Sequence, residues 1–197
     1  MQGMCSQDRG DVRGVGVPEG PQAGKVQAIP GRVFHSVDAV LRWAYELEEY
    51  SCAKAASYAP MISAETGERM TTLERRAQAA CIQQRVERLG GEARELVVAL
   101  YSWNHSAQQS IDELCRRSVR VIDLRPAPLI EALVVRHCRQ VRRVGSESLK
   151  TLSIVHGTSF KAARYREDKV RGWLGQLWYD TEGRLYREWA GTGLIQS

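Results

Sequence analysis

Phenylalanine occurs only twice in 197 residues, aromatic side chains make up 7% of the chain, and no long apolar run is present. The longest plain apolar stretch, Leu129 to Val135, is interrupted by Glu131. It falls far short of the roughly 18 residues that a membrane-spanning helix needs. Met1 to Gly20 lacks the apolar segment of a secretory signal, so a cytoplasmic protein without a membrane partner is expected. Close cysteine pairs are missing too. Cys5, Cys52, Cys81, Cys115 and Cys138 are dispersed, and no two have the spacing that lets a pair of thiolates reach one zinc ion. Reduced core thiols are expected, with no metal and no cofactor.

The groups that catalysis needs are not assembled either. His35, His105, His137 and His156 are scattered, and none adjoins a nucleophile with a base or a carboxylate pair. His137 reads as a core histidine, and His156, directly before Gly157, as a helix-end residue. The segment from Gly20 to Val26 looks like a phosphate-binding loop at first sight. It is one residue short between its glycines, and Val26 stands where a magnesium-binding hydroxyl belongs. An enzyme is not expected.

Arginine is what the chain has in quantity, and its placement is uneven. It supplies 23 of the 28 basic residues, within a net charge of +5. From Arg116 to Ser197 there are 16 Arg or Lys against 8 Asp or Glu, a net of +8, whereas the preceding residues carry −3. The planar guanidinium fork suits phosphates and base edges. A basic C-terminal portion of this kind favours nucleic acid over a membrane surface.

Apolar periodicity predicts an all-α protein. Residues 1–31, rich in glycine and polar side chains with Pro18, Pro21 and Pro30, read as a disordered leader. Residues 32–125 form a helical body. Ser36 caps a first helix carrying Val37, Val40, Leu41, Ala44 and Leu47, and a loop follows from Tyr58 to Gly67. Thr71 and Glu74 form a capping box for a second helix, which stops at Gly90 and Gly91. A third spans Glu92 to about Trp103, and a fourth begins at a second capping box, Ser110 with Glu113. Val119 to Leu124 reads as a connector before Pro126 and Pro128.

Residues 126–197 are read as a basic region with a C-terminal helical extension. A fifth helix, Leu129 to Val144, turns Ile130, Leu133, Val134, His137 and Val141 inward and Arg136, Arg139, Arg142 and Arg143 outward, ending at Gly145. A short helix from Ser146 to His156, with Leu149, Leu152 and Val155 as its apolar stripe, is broken by Gly157. Thr158 or Ser159 caps the next helix, which runs from Phe160 through Ala163, Val170, Leu174 and Leu177 to Leu185. Two helices joined by a glycine turn form a helix-turn-helix, whose second helix offers Lys161, Arg164, Tyr165, Arg166 and Arg171 to double-stranded DNA.

Three segments resemble a known family. Asp38 to Glu46, with Val40, Leu41 and Trp43, is similar to the opening helix of the Q-type antitermination factors of lambdoid phages. Ala80 to Leu89 followed by Glu95 to Tyr101 resembles that family's next helix pair. Leu149 to Trp178 falls where its members carry a helix-turn-helix like that of sigma-factor region four. The resemblance covers residues 36–180 and is nearest the prophage-derived, AlpA-like antiterminators. The zinc-binding cysteine pairs of the lambda branch are absent.

The resemblance implies a factor that binds a DNA element beside a promoter and loads onto RNA polymerase paused there with sigma attached. It then modifies the RNA exit channel, near nascent RNA, so that pausing and termination are suppressed. A conventional helix-turn-helix activator or repressor uses the same recognition helix and is the alternative. Trp173 and Trp178 are expected to pack along the last helix, while Trp103, at a helix end, is a candidate partner contact. A fragment from Pro126 to Ser197 keeps the whole basic region and is expected to bind DNA without suppressing termination.

Overall fold

The computed structural model describes residues 34–53 and 70–195; the expected leader, Cys5, the loop-like segment at Gly20 and the expected loop from Tyr58 to Gly67 lie outside them. The described residues form seven α-helices and no strand: α1 (Val37–Ala53), α2 (Thr72–Leu89), α3 (Gly91–Tyr101), α4 (His105–Ile122), α5 (Ala127–Val141), α6 (Leu149–Val155) and α7 (Phe160–Gly191). One isolated parallel bridge pairs Phe34 with Ile195.

Local chemistry sets most helix starts. Ser36 Oγ accepts from the Ala39 amide at 3.2 Å. The Glu74 amide donates to Thr71 Oγ1 at 3.2 Å, and the Thr71 amide donates to the Glu74 carboxylate at 2.7 Å. That reciprocal bonding satisfies two orphan amides and holds the Glu74 carboxyl below its ordinary range. Gly90, at φ +65°, ends α2, and Pro126 and Pro128 open α5.

The start of α4 corrects the sequence expectation. It lies at His105 rather than Ser110, because Asn104 Oδ1 accepts from the Ser106 amide at 2.9 Å and caps an earlier turn. Ala107, Ser110, Ile111 and Leu114 then continue one buried face, and Glu113 pairs with Arg117 at 2.8 Å instead of capping. The expected connector from Val119 is largely the last turn of α4, closed by Asp123 at φ +46°.

The last three helices end alike, with an amide donating to the carbonyl five residues back around a left-handed residue. The bonds are Val144 to Arg139 at 3.0 Å, Thr158 to Ser153 at 2.9 Å and Leu194 to Trp189 at 3.0 Å. Gly157 (φ +59°) and Gly193 (φ +72°) adopt that conformation freely, whereas α5 uses Arg143 (φ +57°). For that reason α5 stops at Val141, ahead of the expected end at Gly145.

The longest element organises the rest. α7 has 32 residues and extends about 48 Å. Its buried residues Ala163, Val170, Leu174, Thr181 and Leu185 recur at steps of seven and four, which keeps them on one face; Trp189 prolongs it. That face packs against α1, α3, α4, α5 and α6. The Arg85 guanidinium of α2 meets Glu188 at 2.9 Å, and the Phe34 amide donates to the Leu194 carbonyl at 3.0 Å. One hydrophobic cluster contains Leu41, Val86, Leu96, Leu114, Leu133, Leu174 and Trp189 together. The charge boundary near residue 125 is therefore not a boundary of the core.

This arrangement changes the outlook for a fragment from Pro126 to Ser197. Such a fragment lacks α1, α3 and α4, against which α5 or α7 packs in the intact chain. It is expected to show no cooperative thermal transition by circular dichroism, in contrast to the full chain. A sharp melting transition in the fragment would contradict the shared core.

Candidate nucleic-acid interface

The corner between α6 and α7 is held from three sides. Ser148 Oγ accepts from the Thr151 amide at 3.0 Å at the start of α6, and Ser159 Oγ accepts from the Ala162 amide at 3.2 Å at the start of α7. Leu149, Leu152 and Ser153 fasten α6 to the core. Those positions centre the buried face so that Val155, expected in the apolar stripe, points away and is 68% exposed. Ile154 and Phe160 are exposed beside it.

The first turns of α7 turn a basic face outward. Ala163 and Val170 face the core, which leaves Lys161, Arg164, Tyr165 and Arg171 exposed. Lys161 and Arg164 form no ion pair among the described residues. Lys169, not singled out from the sequence, belongs to this face: its Nζ lies 5.5 Å from the centroid of the Tyr165 ring. The four-residue step from Tyr165 is the signal that identifies it.

The acidic residues of the same stretch are treated unequally. Asp168 is exposed, but Glu167 turns inward, and its carboxylate meets the Arg136 guanidinium of α5 at 3.1 Å. The two side chains are only 13% and 17% exposed. Arg136 also donates to the Glu147 carbonyl. The expected outward arginine is thus an inter-helix tie, because its long stem lets the guanidinium reach the α7 flank. Arg171 lies 3.8 Å from the same carboxylate. Arg166 is half-buried: it donates to the Arg125 carbonyl at 2.7 Å and to the Ala162 carbonyl at 2.9 Å, so it braces the start of α7 against the α4–α5 connection.

Arg139, Arg142 and Arg143 follow Arg136 at the end of α5. The Arg142 guanidinium sits over the Trp103 ring, 4.6 Å from its centroid. Two residues before Trp103, Tyr101 stacks on Trp178 with centroids 5.8 Å apart. Trp178 lies 14 residues beyond Arg164 on α7, about 21 Å along the axis. Arg139 and Arg143 are exposed, and Trp103 is 44% exposed. Trp173 and Trp178 pack against the core as expected, and Trp189 is fully enclosed.

Cys115 and Cys138 are buried free thiols, each pushed up to about 12 by burial, with their charges opposing one another at Cys115. Among the described residues no group of three His, Cys, Asp or Glu side chains could hold a metal. Nor is any helix among them long and apolar enough to cross a membrane. No protein-family model matches the chain, and no curated protein matches it.

Two outcomes follow from the α5–α7 contact. Glu167→Gln removes the anion that Arg136 faces, and a loss of about 1.5–3 kcal/mol in urea denaturation is expected. His137, half-buried on α5, is held below the ordinary imidazole range by burial first and by Arg171 second, with Glu167 opposing. The unfolded chain therefore takes up the proton first as pH falls, so stability declines below about pH 6.5. His137→Gln is expected to flatten the unfolding profile between about pH 7 and pH 5; an unchanged slope would remove His137 from the account.

Proposed function

We propose that this protein is a DNA-binding transcription antitermination factor that acts by binding rather than catalysis. It reads a duplex element beside a promoter and loads onto RNA polymerase paused there with sigma still attached. It then suppresses pausing and termination by modifying the RNA exit channel. α6, the Gly157 turn and α7 serve as the helix-turn-helix, with α7 entering the major groove. In this reading the site of action is the nucleoid-associated cytoplasm.

The observation that carries the DNA-binding step is the outward face of α7. Lys161, Arg164 and Tyr165 project beyond a serine-capped helix start, while Glu167, the nearest inward carboxylate, is occupied by Arg136. Unpaired cations at the N-terminal end of an exposed helix match the chemistry of phosphates and guanine edges. Arg171 extends that face by two turns, and Arg166 supports it from behind through the Arg125 carbonyl. The polymerase step draws on the resemblance of Asp38 to Glu46, Ala80 to Tyr101 and Leu149 to Trp178 to antitermination factors. A conventional activator or repressor uses the same helix pair and differs in what happens after initiation.

Arg164→Ala is expected to weaken operator binding by about 1–3 kcal/mol if it grips a guanine, and Lys161→Ala to reduce the salt slope by about 1. Footprinting over a salt series measures both. Transcription across an intrinsic terminator with the full chain and purified polymerase then separates the two modes. An antitermination factor raises the ratio of read-through to terminated transcript, whereas a conventional activator raises both in proportion.

A further inference from the structure

The end of α5, with Trp103, carries a second arrangement of arginine and aromatic side chains. Trp103 lies in the three-residue link between α3 and α4, flanked by the two capping residues Ser102 and Asn104. The amide of Ser102, at the end of α3, donates to the Val98 carbonyl at 3.0 Å, and Asn104 caps α4. Its backbone is thereby fixed on both sides, yet its indole remains 44% exposed. A rigid, exposed aromatic gives up little conformational entropy when another ring stacks on it.

The charges around it are mostly positive. Arg142 lies over the indole at 4.6 Å, and Arg139 and Arg143 are exposed on the same end of α5. Arg139 and Arg143 form no ion pair among the described residues. Asp38 is the nearby carboxylate on α1, and it is occupied by Arg42 at 2.9 Å and by the Tyr101 hydroxyl at 2.6 Å. Arg143 acts on Asp38 through space, which places this arginine at the same end of the bundle. Glu182 of α7 also acts on Tyr101, so cations outnumber carboxylates here without excluding them.

Arg143 also takes part in closing α5. It holds the left-handed position that ends α5, at φ +57°, where α6 and α7 use glycine. A side chain in that conformation costs about 1 kcal/mol or more relative to glycine.

We propose that Trp103 and Arg142, flanked by Arg139 and Arg143, form a binding platform for single-stranded nucleic acid. An unpaired base stacks on the indole, and the neighbouring phosphates lie on Arg139 and Arg143. A duplex does not present that face of a base, which separates this platform from the outward face of α7. The platform stands whether or not α7 reads duplex DNA.

Fluorescence anisotropy of the full chain with labelled oligothymidylate and oligouridylate of about 12 nucleotides tests the assignment. Trp103→Ala is expected to weaken binding by about 5-fold or more, with Trp103→Phe keeping most of the affinity. Arg143→Gly is expected to raise the melting temperature while weakening the same binding, a combination that a purely structural role does not give. Preference for oligouridylate over oligothymidylate identifies RNA as the strand held, and the reverse identifies DNA. Wild-type affinity in Trp103→Ala, or binding of polyglutamate in place of both oligonucleotides, overturns the assignment. Should Trp103→Ala lose its helical circular dichroism, Arg143→Gly decides, and undiminished binding in that variant overturns it equally. Duplex binding measured in parallel keeps the two sites distinct, since Trp103→Ala leaves it intact and Arg164→Ala lowers it.

Discussion

The buried face of α7 is the constraint on which the rest of the molecule depends. A helix of 32 residues cannot bury one continuous stripe against a single neighbour of ordinary length. Here α5 and α6 cover its beginning and α1 and α3 pack against it as well, so chain segments far apart in sequence share one core. Trp189 near its end is completely enclosed, and the Phe34–Leu194 hydrogen bond joins the segment before α1 to the segment after α7. The apparent division into an acidic body and a basic C-terminal region is consequently a division of surface charge only.

That division has a structural basis in how arginines are used. Arg42, Arg85, Arg94 and Arg117 are paired with carboxylates, as is Arg136 where α5 meets α7. Partly exposed pairs contribute modestly to stability, but they cancel the local field. On the outward side of α7, Lys161 and Arg164 form no ion pair among the described residues, whereas Arg171 lies 3.8 Å from Glu167. The field that a charged surface projects depends on the cations left without a carboxylate partner rather than on the total of +5.

Helix endings carry a second kind of information. Gly157 closes α6 and sets where α7 begins, so the placement of Lys161 and Arg164 depends on one residue that tolerates a positive φ. Arg143 performs the equivalent closure for α5 with a side chain that the geometry disfavours. The proposed duplex-reading face and the arginines of the proposed single-strand platform therefore each adjoin the same backbone motif, one with glycine and one with arginine. Tyr101, two residues before Trp103, stacks on Trp178, about 21 Å along α7 from Arg164.

Local patterns in the sequence determine the class of this fold and much of its punctuation. Apolar steps of three and four define the helices. Ser36, Thr71 with Glu74, Gly90 and Gly157 act within a single turn, so their roles are legible without knowledge of any neighbour. The outward basic residues of α7 are legible for the same reason, since the positions of Ala163 and Val170 assign the opposite face. Tertiary structure alone decided the rest. Ser110 resembles a cap but lies on the buried face of α4, and Val155 points away from the core because Leu149, Leu152 and Ser153 form the buried face of α6. Arg136 turns to Glu167, Arg166 to the Arg125 carbonyl and Arg142 to Trp103, each partner lying on an element distant in the chain. A long cationic side chain on a half-buried flank has several partners within reach, and only the packing of the surrounding helices selects among them.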